Sequence, residues 1–182
     1  DEKHMSVDTD GFKEKFKEHQ EKSRTASKGM FKGGLAGDSE TETRYHTATH
    51  LLNAALKITV SEDVHQKGSN INNERMRFDF SCDHKLTQEE IKNTEDLVNK
   101  WIKEDLPVSV KQMPKEEAVR IGAEHMFIER YPDIVTVYFV GDVSKEICMG
   151  PHVKSTSEIG TFRIVKEEAS SAGVRRIKAV IE

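Results

Sequence analysis

Residues 39–58 read SETETRYHTATHLLNAALKI. Ser39 followed three residues later by Glu42 is a capping box: the hydroxyl and the carboxylate each satisfy an amide that the first turn of a helix leaves unpaired. Leu51, Leu52, Ala55 and Leu56 then recur at helical spacing and supply a core face, which predicts a helix over about 40–58. On the same helix His46, Thr49, His50 and Asn53, three or four residues apart, share one neighbouring polar stripe.

The elements downstream follow from the same kind of reading. VHQKGSNI and RMRFDFS flank the turn-like NNE, and the second run alternates Met76, Phe78 and Phe80 against Arg75, Arg77 and Asp79, as one strand of an antiparallel hairpin would. Thr87 and Glu90 repeat the capping box and open an amphipathic helix that ends before Pro107, with Ile91, Leu97, Val98, Trp101 and Ile102 as its buried stripe. PVSVKQM reads as a strand, Pro114 opens a short helix through Ile121, and IVTVYFVGD is a β-branched run suited to a central strand. IGTFRIVKEE and GVRRIKAVIE are two further strands joined by ASSAG. Strands and helices mix without regular βαβ alternation, so the expected class is α+β with a largely antiparallel β-sheet and packed helices. Upstream, DTDGFKEKFKEHQEKSRTAS places Phe12 and Phe16 one helical turn apart in a charged surround, with Asp8 or Thr9 as N-cap. The stretch that follows carries Gly29, Gly33, Gly34 and Gly37, so residues 1–36 read as an N-terminal helical connector and linker and 37–182 as the main domain.

The chain has 182 residues, enough for one well-packed domain with an attached segment. With 35% hydrophobic and 33% charged residues it has the composition of a water-soluble globular protein, and no apolar run is long enough to span a membrane. The first residues, DEKHMSVDTDGF, lack the features of a secretory signal, so the cytoplasm is the expected compartment and Cys82 and Cys148 are expected as thiols. A net charge of −4 argues against a partner held by bulk positive charge, so no DNA and no membrane partner is expected. The one basic cluster, Arg175, Arg176 and Lys178 in GVRRIK, reads equally as a solvated strand face.

Two spacings point to a metal. His46 and His50 stand four apart on the helix and present both imidazoles to one point, and Cys148 and His152 stand four apart in EICMGPHV, where Gly150 and Pro151 shape a bend. Four such nitrogen and sulfur donors are what a tetrahedral zinc ion takes. A lone pair of this kind is better read as partly buried, hydrogen-bonded histidines; it is the co-occurrence of the two pairs that favours a metal. Four protein donors close the shell and suit a structural ion, whereas displacement of His152 or His46 would leave room for water or a substrate amine. His4, His19, His65, His84 and His125 carry no such pattern, and Cys82 reads as packing.

Taken in order, RYHTATHLLNAAL, HQKGSNINNERMRFDFS, CMGPHV and SAGVRRIKAV resemble the editing domain of the alanyl-tRNA synthetase family, and SVDTDGFKEKFKEHQEKSRTAS resembles the helical segment leading into it. The resemblance covers nearly the whole chain. It implies zinc held by His46, His50, Cys148 and His152, and a pocket lined by Thr49 and Gln66 that recognises the mischarged amino acid. It also implies hydrolysis of Ser-tRNA(Ala), with Gly-tRNA(Ala) as a second candidate, at the acceptor end of tRNA(Ala). No protein nucleophile is implied; attack falls to a zinc-bound water or to the substrate's own groups. No segment resembles the ATP-binding motifs of an activation domain, so the chain is expected to be either a piece of the synthetase, with the rest acting in cis, or a free-standing editing protein. CMGPH departs from the CGGTH common in the family and is similar to the threonyl-tRNA synthetase editing domain, which would act on Ser-tRNA(Thr). A third expectation is a structural zinc or tRNA-docking module without chemistry.

Overall fold

The computed structural model describes residues 11–15, 17, 34–37, 39–126 and 128–182. The chain divides into two units, Asp1–Phe31 and Lys32–Glu182. In the first, residues 11–15 and 17 are helical and Phe12 is exposed. The expected caps Asp8 and Thr9, together with Phe16, Gly29, Gly33, His4 and His19, lie outside the described residues.

In the second unit Ser39 caps helix α1, Glu40–Thr59, with both halves of the capping box formed. β1 (Gln66–Ile71) and β2 (Met76–Ser81) make the expected antiparallel hairpin. Thr87 caps α2, Gln88–Lys103, again through a complete capping box. β3 (Val108–Pro114), the short α3 (Lys115–Arg120), β4 (Ile134–Val140) and β5 (Ser144–Ile147) follow, then β6 (Phe162–Ser171) and β7 (Val174–Ile181). The class is α+β and every strand pairing is antiparallel, but the strands divide between two sheets, β1-β2-β7-β6 and β3-β4-β5. Among the described residues no helix is long and apolar enough to cross a membrane.

The division follows from what each sheet buries. β2 turns Met76, Phe78 and Phe80 inward, opposite Ala179, Ile177 and Arg175 of β7, and the first two pairs join Leu51, Leu52 and Leu56 of α1 in the main core. Each such side chain taken from water contributes about 1.5–3 kcal/mol. β4 turns Val135 and Val137 toward Ala118, Ala123 and Ile147, a second and smaller apolar cluster. Helix α1 packs against α2, β1 and β2 on one side and against β5 on the other. Tyr45 anchors it, its hydroxyl donating to the Glu74 carbonyl at 3.0 Å and accepting from the Ile181 amide at 3.3 Å. The polar stripe of α1 therefore faces the chain that leaves β5.

Candidate metal centre

The four candidate donors come from two elements that are about a hundred residues apart in sequence. α1 contributes His46 and His50, one turn apart, with ring centroids 5.3 Å from each other. The loop after β5 contributes Cys148 and His152; the Cys148 amide donates to the Thr136 carbonyl at 3.1 Å, which fixes the start of that loop on β4. His152 stacks on His46 at 4.3 Å and lies 4.4 Å from His50. One donor atom from each of the four residues falls within 4.8 Å of the others. Cys148 Sγ is 3.3 Å from His46 Nε2, close to the roughly 3.5 Å that separates a nitrogen and a sulfur ligand on one tetrahedral zinc ion.

The surrounding acceptors decide which nitrogen of each imidazole carries the proton. A carbonyl oxygen only accepts, so His46 Nδ1 donates to Pro151 at 3.0 Å and leaves Nε2 as the lone-pair nitrogen. Thr47 Oγ1 sends its proton to the Thr43 carbonyl at 3.3 Å and receives the Val153 amide at 3.2 Å. It therefore takes the proton of His152 Nδ1, 3.1 Å away. Glu146 Oε2 lies 3.4 Å from His50 Nε2, the carboxyl oxygen that faces the third ring. The nitrogens left over, His50 Nδ1 and His152 Nε2, are buried and have no hydrogen-bond partner among the described residues. Two orphaned lone pairs beside a thiol are costly in a dry interior, and a divalent cation is the partner that would satisfy them together.

The electrostatics agree with that donor set. Burial holds His46 and His50 down to about 3, with the neighbouring His50 adding to the depression of His46, and burial lowers His152 in the same way. All three are neutral at physiological pH, as ligands must be. Burial pushes the Cys148 thiol up to about 12, against a smaller opposing pull from the Gly150 and Met149 amides. A thiolate here needs a cation beside it. Gly150 is required by close approach, since a Cβ at that position would come within 2.7 Å of His46 Nδ1.

The other residues singled out in the sequence fall in different places. Asn53 is buried and its amide donates to Glu146 Oε1 at 3.2 Å. Thr49 is buried, and its hydroxyl donates to the Tyr45 carbonyl at 2.9 Å. Gln66 begins β1 opposite Phe80, at a register shift between Gln66 and Gly68 of the kind that re-aims side chains near functional sites. His65, His84 and His125 lie on the surface, and both cysteines are free. Cys82, Asp83 and His84 also bring donor atoms together, but both ring nitrogens of His84 face carboxylates, Asp83 at 2.9 Å and Glu90 at 3.1 Å. Those carboxylates raise its pKa, and both of its ring nitrogens already have them as partners. The basic cluster is neutralised within the sheet: Arg175 pairs with Glu167, Arg176 with Asp79 and Lys178 with Glu168.

Sequence reasoning missed Thr47, Glu146 and Tyr138, whose ring lies 4.2 Å from His152. Adjacency to His46 and Cys148 was the only local signal for the first two.

Residues 135–178, from β4 into β7, match the family model described as the threonyl and alanyl tRNA synthetase second additional domain. The alanine–tRNA ligase of Treponema denticola is 54% identical over 178 residues, which is 98% of this chain and 30% of that protein. The chain belongs to the alanyl-tRNA synthetase family. The alanine–tRNA ligase of Borrelia hermsii is 51% identical over 177 residues, covering 97% of this chain and 30% of its own length. That of Thermotoga maritima is 51% identical over 141 residues, 78% of this chain and 16% of the ligase. The chain thus spans under a third of these alanyl-tRNA synthetases and holds the additional domain.

Proposed function

We propose that this chain is an editing module that hydrolyses the ester of serine wrongly joined to the 3′ end of tRNA(Ala), with Gly-tRNA(Ala) as a second substrate. The supporting observation is the buried three-histidine, one-cysteine cluster, with two imidazole nitrogens lacking partners among the described residues, in a region of the alanyl-tRNA synthetase family. The need for such a step is physical. A pocket built for alanine rejects serine and glycine poorly, because one small group is worth only about 1–3 kcal/mol, so a second site must supply the rest of the discrimination.

In this reading His46, His50, Cys148 and His152 hold zinc, which when bound supplies a Lewis acid beside the scissile ester. The oxygen of water joins the carbonyl carbon as the bond to the 3′ oxygen breaks; one proton of the water ends on that departing oxygen, which leaves as the 3′ hydroxyl, and the other stays with the released serine. Cys148 is a ligand and not a nucleophile, since a thiol pushed up to about 12 presents almost no free thiolate at neutral pH. Thr49 and Gln66 read the substrate side chain. Because the Thr49 proton is committed to Tyr45, its oxygen is left as an acceptor for the hydroxyl of serine. Alanine would leave such groups unpaired, a penalty of about 1–3 kcal/mol. With net charge −4 and the GVRRIK cations paired, the grip on tRNA(Ala) comes largely from the rest of the synthetase in cis, with residues 1–36 as lead-in to the editing domain at 37–182.

Deacylation of Ser-tRNA(Ala) by the purified chain tests the reading. Hydrolysis above the protein-free control, abolished by chelation and restored by zinc, is the expected result, and a Ser-tRNA(Ala) lifetime equal to the control overturns it. The presence of four protein donors favours a second reading, a closed structural ion without chemistry. That reading predicts that Cys148→Ala unfolds the domain, which circular dichroism would reveal.

A further inference from the structure

Helix α1 and strand β5 meet at a carboxylate. Glu146 is 7% exposed, and its two oxygens are divided: Oε2 faces His50 Nε2 at 3.4 Å, while Oε1 accepts from Asn53 Nδ2 at 3.2 Å. Its backbone is held from both edges. β4 pairs with it through Tyr138, and Glu124 bridges it on the other side, giving its amide to Lys145 at 2.9 Å and receiving that of Ile147 at 2.8 Å. Behind the carboxylate lies a cleft of about 210 Å³ lined by Asn53, Lys57, Glu124 and Ser144, with Lys57 paired to Glu124.

A carboxylate in so dry a place is not explained by packing, because an apolar side chain of the same size would cost less to bury. What Glu146 does have is a strong acceptor aimed at the one ring nitrogen of His50 that must be protonated if the other is to bind a cation. We propose that Glu146, backed by Asn53, is the positioning residue of the metal centre: it fixes the His50 tautomer with the lone pair on Nδ1 and holds the ring plane toward Cys148 and His152. The inference rests on the metal-binding part of the function proposed above and extends it to two residues outside the donor set. Among the three second-layer acceptors, Glu146 is the only carboxylate; Pro151 offers a carbonyl and Thr47 a hydroxyl.

The test is zinc affinity of the whole chain, measured by competition with a chromophoric chelator, together with the absorption spectrum of the cobalt-substituted protein and circular dichroism of the metal-free form. Glu146→Gln should keep the metal-free fold, weaken zinc binding about 10- to 100-fold and alter the cobalt spectrum. Asn53→Ala should weaken binding less, and Glu124→Gln, which alters the cleft but not the contact with His50, should leave it unchanged. Zinc affinity of Glu146→Gln equal to the parent overturns the inference. So does loss of fold in metal-free Glu146→Gln, which would make Glu146 a structural residue only. A parent chain that binds no zinc removes the metal reading and this inference together. A parent that binds zinc but leaves Ser-tRNA(Ala) intact removes only the deacylase reading, and the Glu146 comparison still decides this one.

Discussion

Gly150 is packed so closely on His46 that a methyl group in its place would sit 2.7 Å from the imidazole Nδ1 and 2.9 Å from Leu35 Cδ1. The imidazole is the neighbour held in place, since its Nδ1 is bonded to the Pro151 carbonyl. Gly150→Ala should therefore cost about 1–3 kcal/mol in overpacking and displace His46 from Cys148. The expected outcome is a folded protein with a lower thermal midpoint and weakened zinc binding, checked by calorimetry and chelator competition. A variant with parental zinc affinity would show that His46 adjusts freely.

On the proposed reading the four donors act as one unit, so removing any of them should lower the metal content and not merely the stability. Elemental analysis of the parent should give one zinc per chain, and His50→Ala and Cys148→Ala should each bring it well below that value at equal free zinc. The apolar core on α1 is formed by Leu51, Leu52 and Leu56, on a different face, so both variants should keep their helical dichroism. Undiminished zinc in Cys148→Ala would remove the thiol from the donor set.

How far these residues could be found from sequence depends on how local their reasons are. The capping boxes at Ser39/Glu42 and Thr87/Glu90 fix both long helices, and the alternation of Met76, Phe78 and Phe80 fixes β2, because each involves neighbours within four residues. β5 escaped notice: SKEI is short and charged, and it is a strand only because β4 and Glu124 pair with it. The ASSAG connection is also shorter than expected. β6 runs through Ser171 and the chain turns at Gly173, at φ +68°, while register shifts at Ile164/Lys166 and Ala169/Ser171 absorb the extra residues. At the candidate centre the two spacings by four marked the four side chains that the fold brings together, whereas the contacts of Thr47 with His152 and of Glu146 with His50 cross the fold and leave no local pattern.

Stability of the metal-free protein should fall on both sides of neutrality. His46 and His50 sit at about 3 when folded against 6.5 when unfolded, so between those values the unfolded chain binds protons that the folded one refuses. Their contribution is present above about 6.5 and lost as the pH falls toward 3; His152, also lowered, adds to it. Glu146 acts in the opposite sense, raised from 4.5 to about 7, so what it contributes below 4.5 is lost as the pH rises through 7. Three imidazoles outweigh one carboxyl, and the net slope in acid is positive. Cys148, raised from 9 to about 12, removes stability above pH 9. Urea midpoints of the metal-free chain should therefore be highest between about pH 7 and 9. A midpoint that stayed level from pH 7 down to 4 would mean that the buried imidazoles take up protons without unfolding.

Arg176 makes the clearest distinction between a nucleic-acid contact and a structural one. Its Nε and Nη2 donate to the two oxygens of Asp79 at 2.7 and 2.8 Å, a forked pair across β7 and β2, and Asp79 is 9% exposed. Removing the guanidinium strands a carboxylate that water reaches poorly, with Arg77 Nε 3.7 Å away. Arg176→Ala should lower stability by about 1–3 kcal/mol, and Asp79→Ala by a similar amount, because each leaves a desolvated charge behind. The double variant should lose less than the sum, since neither charge is then left alone. A cation already held by a fork-shaped pair has little attraction left for phosphate, so the salt dependence of tRNA binding should match that of the parent. If Arg176→Ala instead kept its urea midpoint and flattened that salt dependence, the GVRRIK strand would be a phosphate contact after all.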